Sequence, residues 1–409
     1  MSADSTIKTV LLLGTFDTKG DEYRFARERF ENAGLQTILI DTGVIGQSSL
    51  DSDFTSEDVA RAGGSTLEKL REENDRGNAV SVMTLGARAI VTELFSKGKF
   101  DGIFALGGSG GSTIASHSMR SLPLGIPKVL VSTLVSSSAA SFVGESDIAL
   151  FASVVDIAGV NSISSKIIAN AADAMIGMLS GRPIDVVSSK KLIAASMFGV
   201  TTQCVTDARR ELESHGYEVI TFHMTGSGGK SMESLIFQGF FDAVLDVTTT
   251  ELCDEIIGGT LSAGPDRLTA AVKQGVPQVI SLGALDMVNF GAKSTVPEKF
   301  LKRNLYLHNE NVTLMRTTPE ECEKIALDIC AKLSKATAPA ALMLPLRGVS
   351  AISTQGQPFY DPAADDALFS TLRKHVPKQV ELIELDCAIN DLEFTSALVS
   401  KLISYLEKK

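Results

Sequence analysis

Residues 8–43 read KTVLLLGTFDTKGDEYRFARERFENAGLQTILIDTG, and the same pattern returns at residues 191–226 as KLIAASMFGVTTQCVTDARRELESHGYEVITFHMTG. Each copy opens with an apolar run of the kind a strand buried on both faces requires. A charged segment with helical spacing follows and stops at a glycine, Gly34 or Gly216. A second apolar run then closes the unit. The match sets Gly199 in the place of Gly14 and Gly216 in the place of Gly34. Further along, FDGIFALGGSG (100–110) is answered by FDAVLDVTTTE (241–251), and IPKVLVSTLV (126–135) by VPQVISLGAL (276–285).

Matched segments in one order imply a repeated strand–helix plan. SEDVARAGG, TLEKLREENDRG and GARAIVTELFSKG read as intervening helices. Strands alternating with helices make a parallel sheet with crossover helices on its faces. The expected fold is therefore α/β: two similar Rossmann-like lobes, residues 1–185 and 186–409, each a parallel sheet flanked by helices. A helix in GVNSISSKIIANAADAMIGMLSGRP (159–183), opened by Asn161 or Ser162 and stopped by Gly181 and Pro183, stands before the boundary. Strands PAALMLP and VELIEL and a closing amphipathic helix from Leu392 complete the second lobe.

Composition bounds the function. With 409 residues, 44% of them hydrophobic, there is chain for two cores. A formal charge of −11 leaves no basic excess for a nucleic-acid backbone or an anionic membrane, so the expected partners are small molecules or protein. The five cysteines show no C-x-x-C pair and read as buried thiols of a reducing cytosol. No secretory pattern opens the chain, and VLVSTLVSSSAASFV (129–143) is too short to span a bilayer, which predicts a cytoplasmic protein. His308 and Glu310 stand close together without a third ligand, so no metal site is expected.

Ligands of open parallel sheets bind beyond the carboxyl ends of strands, where helix N-termini and loop amides converge. Two stretches fit. ALGGSGGST (105–113) links a strand to a helix through Gly107, Gly108, Ser109, Gly110 and Gly111, with hydroxyls at Ser112 and Thr113. Its glycines allow a phosphate to approach the backbone, or else a tight turn with close packing. It lacks the lysine of a P-loop, and Thr113 replaces the last glycine of a dinucleotide fingerprint. MTGSGGKS (224–231) copies a Walker ending, but Met224 replaces its first glycine, and it reads as a flexible loop. The other stretch is Gly14–Gly20. Thr15 and Thr18 offer hydroxyls, Lys19 a charge for phosphate, and Asp17 a hold on magnesium through water. The alternative has Asp17 or Thr18 capping a helix and Lys19 solvated.

GTFDTKGDE (14–22) and FALGGSGGST (104–113), with VVDIAGVN (154–161), NVTLMRTTPEE (311–321) and PLRGVSAIST (345–354), resemble the ATP-binding domain family of the tomato mosaic virus resistance protein, an uncharacterised protein family. The resemblance covers nearly the whole chain. It implies a two-lobed α/β protein that dimerises and binds ATP, with Gly14, Thr15, Asp17, Thr18, Lys19 and the residues Gly107 to Thr113 around the nucleotide. Thr84, Gly86 and Arg88 of VMTLGAR, and Ser132 and Thr133 of VSTLVSS, are secondary candidates at other strand ends.

The second lobe carries LDVTTTEL where the first has its glycines, and β-branched threonines deny close backbone approach. ATP is therefore expected on the first lobe alone. Thr249, Thr250, Arg347 and Ser350 are candidates for a polar substrate in the cleft between lobes, while Glu251, Asp254 and Glu255 read more simply as acids at a helix N-terminus. The expectation is an ATP-binding enzyme of small-molecule metabolism, forming a homodimer or higher homo-oligomer. The alternatives are a nucleotide-gated binding module and a lyase or hydrolase of phosphorylated or acidic metabolites.

Overall fold

The structure is a computed structural model that describes residues 7–181 and 189–407. Two compact units divide the chain, Met1–Asp185 and Val186–Lys409, with the dividing residues themselves outside the described set.

The first unit runs β1 (Thr9–Gly14), α1 (Phe16–Asn32), β2 (Gln36–Asp41), α2 (Ser56–Ala62), α3 (Leu67–Glu73), α4 (Arg76–Ser96), β3 (Gly102–Gly107), α5 (Ser109–Arg120), β4 (Lys128–Ser132), α6 (Val135–Val143), β5 (Ala149–Ala152) and α7 (Ser164–Ser180). Its strands are parallel and lie in the order β2-β1-β3-β4-β5. Val10 and Leu12 face the helices α1 and α7, while Leu11 and Leu13 face α2, α4 and α5, which is why Val10–Leu13 are apolar without alternation. Gly34 follows the C-terminal end of α1 with φ at +81°, the left-handed position that ends such a segment without a Cβ clash.

The second unit runs β6 (Leu192–Met197), α8 (Thr202–Ser214), β7 (Glu218–His223), α9 (Ser227–Phe237), β8 (Ala243–Thr248), α10 (Glu251–Ile257), α11 (Ala270–Gln274), β9 (Gln278–Gly283), β10 (Met287–Phe290), β11 (Leu305–Asn309), β12 (Val312–Arg316), α12 (Pro319–Leu333), β13 (Ala340–Pro345), α13 (Pro362–His375), β14 (Val380–Leu385) and α14 (Leu392–Leu406). Its main sheet has the order β7-β6-β8-β9-β13-β14, so the first four strands repeat the arrangement of the first unit. Strands β10, β12 and β11 form a separate antiparallel sheet inserted after β9. The α/β class with two parallel, helix-flanked sheets is as the repeated pattern predicts.

Three details differ. VMTLGAR is no strand end: α4 begins at Arg76 and carries Thr84, Gly86 and Arg88 on its body. A Cβ on Gly86 would lie 1.9 Å from the carbonyl oxygen of Val59, so this glycine serves the contact between α2 and α4. Gly199 is not the counterpart of Gly14, because β6 ends at Met197 and Gly199 opens a short 3-10 turn beyond it. The helix before the boundary starts at Ser164, with Asn161 Oδ1 accepting from the N–H groups of Ile163 and Ser164, whereas Pro183 lies outside the described residues. Among the described residues, α4 is the one helix with the length and apolarity of a membrane span, and it packs against α2 and α5.

Candidate functional site

In the first unit the chain passes from β1 to β2 on one side and returns to β3 on the other, so the loops after β1 and β3 flank a topological switch point. The pairing of β1 with β3 ends at Leu13 opposite Ala105. Where the strands part, Tyr23 of α1 takes over: its hydroxyl donates to the Leu13 carbonyl at 2.5 Å and accepts from the Leu106 N–H at 2.8 Å. Burial pushes the phenol pKa up, so the hydroxyl stays a donor at any ordinary pH. A Cβ on Gly14 would lie 2.0 Å from that hydroxyl, so Gly14 makes room for Tyr23.

The glycines after β3 have no such excuse. Gly107, Gly108, Gly110 and Gly111 all lie outside the left-handed region. A Cβ would be 3.8 Å from the nearest atom at Gly108, 3.6 Å at Gly110 and 3.8 Å at Gly111, with Gly107 tighter at 3.3 Å. Alanine would fit at three of the four, and Gly110 and Gly111 weaken the first turn of α5 by roughly 1 kcal/mol each relative to alanine. Gly108 is the N-cap of that helix and offers no side chain to its orphan amides. Ser112 is buried, its hydroxyl donating to Ser132 Oγ at 2.7 Å, and Thr113 Oγ1 donates to the Ser109 carbonyl. Those two hydroxyls hold the loop; the N–H groups of Ser109, Gly110 and Gly111, the first of α5, have no intrahelical acceptor.

Gly14–Lys19 is not a loop: Gly14 ends β1, Thr15 is the N-cap of α1 and Phe16–Lys19 begin that helix. Asp41 Oδ1, at the end of β2, accepts from the Phe16 N–H at 3.0 Å and the Gly43 N–H at 2.9 Å. Burial raises the Asp41 pKa, and these N–H groups pull it back. Asp17 holds the loop after β2, its Oδ2 accepting from the N–H groups of Ile45 and Gly46 at 3.0 Å each, while its Oδ1 is buried without a partner. Thr15 and Thr18 share a hydroxyl contact of 3.0 Å. Lys19 is neither solvated nor free: its Nζ donates to the carbonyl of Ile157, and Gly159 N–H of the same segment donates to Glu22 at 2.6 Å. Arg76, at the start of α4, lies 3.5 Å from Ser109 Oγ and is a cation beside the loop that spacing alone does not reveal. Gly107-Gly108-Ser109-Gly110-Gly111 also has G-x-S-x-G spacing between strand and helix, a signal in the sequence not used above. Ser109 lacks the strained backbone of a nucleophile elbow, and its hydroxyl has no base beside it among the described residues.

The equivalent place in the second unit, between the loops after β6 and β8, is full. Thr249 donates to the Ser281 carbonyl, Thr250 receives Asn289 Nδ2 at 3.4 Å, and both are fully buried. Glu251 accepts from the N–H groups of Gly226 and Gly229 at 2.7 and 3.1 Å, so the Walker-like stretch already holds a carboxylate. Arg267, fully buried, lies against Asp246, Glu251 and Glu233. The sequence signal for it is Asp246, an acid inside an apolar strand that must find a partner. Arg347 is paired through both nitrogens with Asp386 at the surface, at 2.8 and 2.6 Å, and Ser350 is buried and donates to Asp286 at 2.8 Å. The four residues expected to take a second substrate are thus each engaged within the protein. Among the described residues no group of three His, Cys, Asp or Glu is placed to hold a metal.

Fold and geometry define a chain of two doubly wound α/β units, the first with a glycine-rich strand–helix turn at its switch point and the second with a buried charge network at the matching place. The chain belongs to the uncharacterised protein family UPF0261: residues 8–183 match its N-terminal domain and residues 190–406 its C-terminal domain. A UPF0261 protein of Clostridium tetani (strain Massachusetts / E88) is 52% identical over 98% of this chain and 100% of its own. The ToMV resistance protein Tm-1(GCR237) of Solanum lycopersicum is 39% identical over 99% of this chain and 56% of its own length. Among solved structures, Acinetobacter baumannii MurG aligns over 97% of this chain and 99% of its own at 10% identity with a TM-score of 0.21, too low to bear on the site.

Proposed function

We propose that the N-terminal unit binds ATP at the crevice between the loops after β1 and β3. The observation that carries this reading is the set of glycines at 108, 110 and 111, which the fold does not need and which leave bare amides at the start of α5. Glycine retained at a cost to helix stability makes sense if something approaches the backbone from outside. The N–H groups of Ser109, Gly110 and Gly111 would take the phosphates. Asp17 would reach a magnesium-bound water only by a shift of the loop after β2, because one of its oxygens holds the Ile45 and Gly46 amides and the other is buried. Lys19 reaches a phosphate by leaving the Ile157 carbonyl, which makes it a weaker contributor than the amides.

The reading is of a cytosolic protein that acts as a homodimer; the five buried free thiols fit a reducing compartment. The proposal is binding, with turnover left to a further substrate. Calorimetric titration with magnesium ATP tests it. The expected result is one site per chain at submillimolar affinity, lost in Gly110→Val and weakened a few-fold in Lys19→Ala. No heat of binding at millimolar nucleotide overturns it.

A further inference from the structure

The crevice of the second unit is occupied by a group arranged as a ligand is. Every N–H of the Arg267 guanidinium has an acceptor: Nε reaches Glu251 Oε2 at 2.8 Å, Nη1 reaches Asp246 Oδ2 at 2.6 Å and Glu233 Oε1 at 3.2 Å, and Nη2 reaches Asp246 Oδ1 at 2.7 Å and the Thr248 carbonyl at 3.1 Å. The acceptors come from β8, the start of α10 and the body of α9, elements that meet at the carboxyl end of the sheet. Each acceptor is itself held in place. Ser196 Oγ donates to Asp246 at 2.6 Å, the amides of Gly226 and Gly229 fix Glu251, and Glu233 accepts from the N–H groups of Leu268, Thr269 and Ala270.

The guanidinium is delivered by a strained turn. Leu268, next to Arg267, has φ at +71°, a backbone state that costs a branched residue on the order of 1 kcal/mol or more and persists where neighbours enforce it. Those neighbours are the three amides on Glu233. An ordinary ion pair in a core needs neither a complete fork of acceptors nor a strained approach.

We infer that the switch-point crevice of the C-terminal unit is a guanidinium-binding site, occupied in cis by Arg267. The cage recognises a planar cation with five donors, and the chain supplies one of its own, so the unit offers the solvent neither bare amides nor a free acidic pocket. The inference is independent of nucleotide binding by the other unit.

Arg267→Ala empties the cage and leaves three carboxylates facing one another. Its Tm is expected to fall by about 10 °C. Methylguanidinium at ~10 mM, roughly a hundredfold below denaturing concentrations, is expected to restore several degrees in the variant and nothing in the unaltered protein. Methylammonium at the same concentration and ionic strength is expected to do neither, because it cannot match the fork. Where Arg267→Ala fails to fold unaided, the readout is its refolding yield from urea, expected to rise several-fold with methylguanidinium and not with methylammonium. An unchanged Tm in Arg267→Ala overturns the inference, as does equal rescue by both cations or rescue by neither.

Discussion

The two switch points share a topology and differ in what fills them. Beyond β3 the first unit has Ala105, Gly107 and Gly110; at the matching positions beyond β8 the second has Asp246, Thr248 and Glu251. The first set leaves amides without partners. The second adds two acids to a fully buried place, and acids in a low dielectric demand a cation and donors. Arg267 and the amides of Gly226 and Gly229 answer that demand. The same bend in strand order therefore leaves helix N–H groups uncapped or becomes a piece of core, and a few residues at the strand ends decide which.

Removing the acid that began the difference should have the largest effect. Asp246→Ala strips Arg267 of its two shortest bonds and strands Ser196 Oγ, and loss of a partner from a buried charge network typically costs about 3–5 kcal/mol. Urea unfolding measures it. A loss below about 1 kcal/mol would mean that the charges in the second crevice are incidental, and the contrast between the units would dissolve.

A second test separates the units by pH. Asp286, after β9, is fully buried, and burial holds its pKa up at about 6 despite Arg316 and the Ser350 hydroxyl; Asp254 is raised to about 6 by the same cause. An unfolded carboxyl ionises near its ordinary value, so the folded state binds the extra proton between about pH 4 and 6. The contribution is therefore full below pH 4 and is lost as pH rises to 6. For Asp286, rising from 3.8 to about 6 is worth roughly 3 kcal/mol at most. Asp286→Asn should flatten the stability profile of the chain between pH 4 and 6 relative to the native protein. Parallel profiles would show that Asp286 titrates normally.

Tyr23→Phe probes the first unit at the point where Ser196 serves the second. Ser196 Oγ accepts from the Thr248 N–H at 2.8 Å as Tyr23 accepts from Leu106. Deleting the phenol oxygen leaves a buried N–H and a carbonyl unpaired, at a cost of about 1–3 kcal/mol. Thermal unfolding of the variant measures it, and a Tm equal to that of the native chain would show that the strands part without help.

Much of this was legible in the sequence. The repeat of apolar run, charged segment and glycine predicted both sheets, because strand burial and helix periodicity are local signals. The antiparallel sheet β10–β12 was not anticipated, since β10 follows β9 almost directly while its partners begin only at Leu305, and pairing between such short strands is set by contacts that no periodicity reports. Gly107–Gly111 was legible as a glycine-rich link between strand and helix; Gly14 was not legible as packing, because the need for it comes from Tyr23 across the strand. Lys19 looked free because the carbonyl it meets is 138 residues away. Arg267 lies in a polar stretch, GPDRLTAA, with nothing to mark it apart from the unpaired Asp246.

The smallest predicted change in stability is the most discriminating. Gly110 has negative φ and an open direction for a Cβ, with Val80 at an ordinary 3.6 Å, so Gly110→Ala should leave the fold intact and tighten the first turn of α5. Relative to glycine the gain is about 0.5–1 kcal/mol, a rise of a few degrees in Tm. The same methyl stands in the path of an anion approaching the helix N-terminus, so nucleotide affinity should fall tenfold or more. Stability and binding would then move in opposite directions at one position, which a glycine kept for packing cannot produce. At Gly283 of the second unit, where a Cβ would lie 2.3 Å from the Val247 carbonyl oxygen, the same substitution should destabilise. If Gly110→Ala binds ATP as the native chain does, the amides of α5 are not the site.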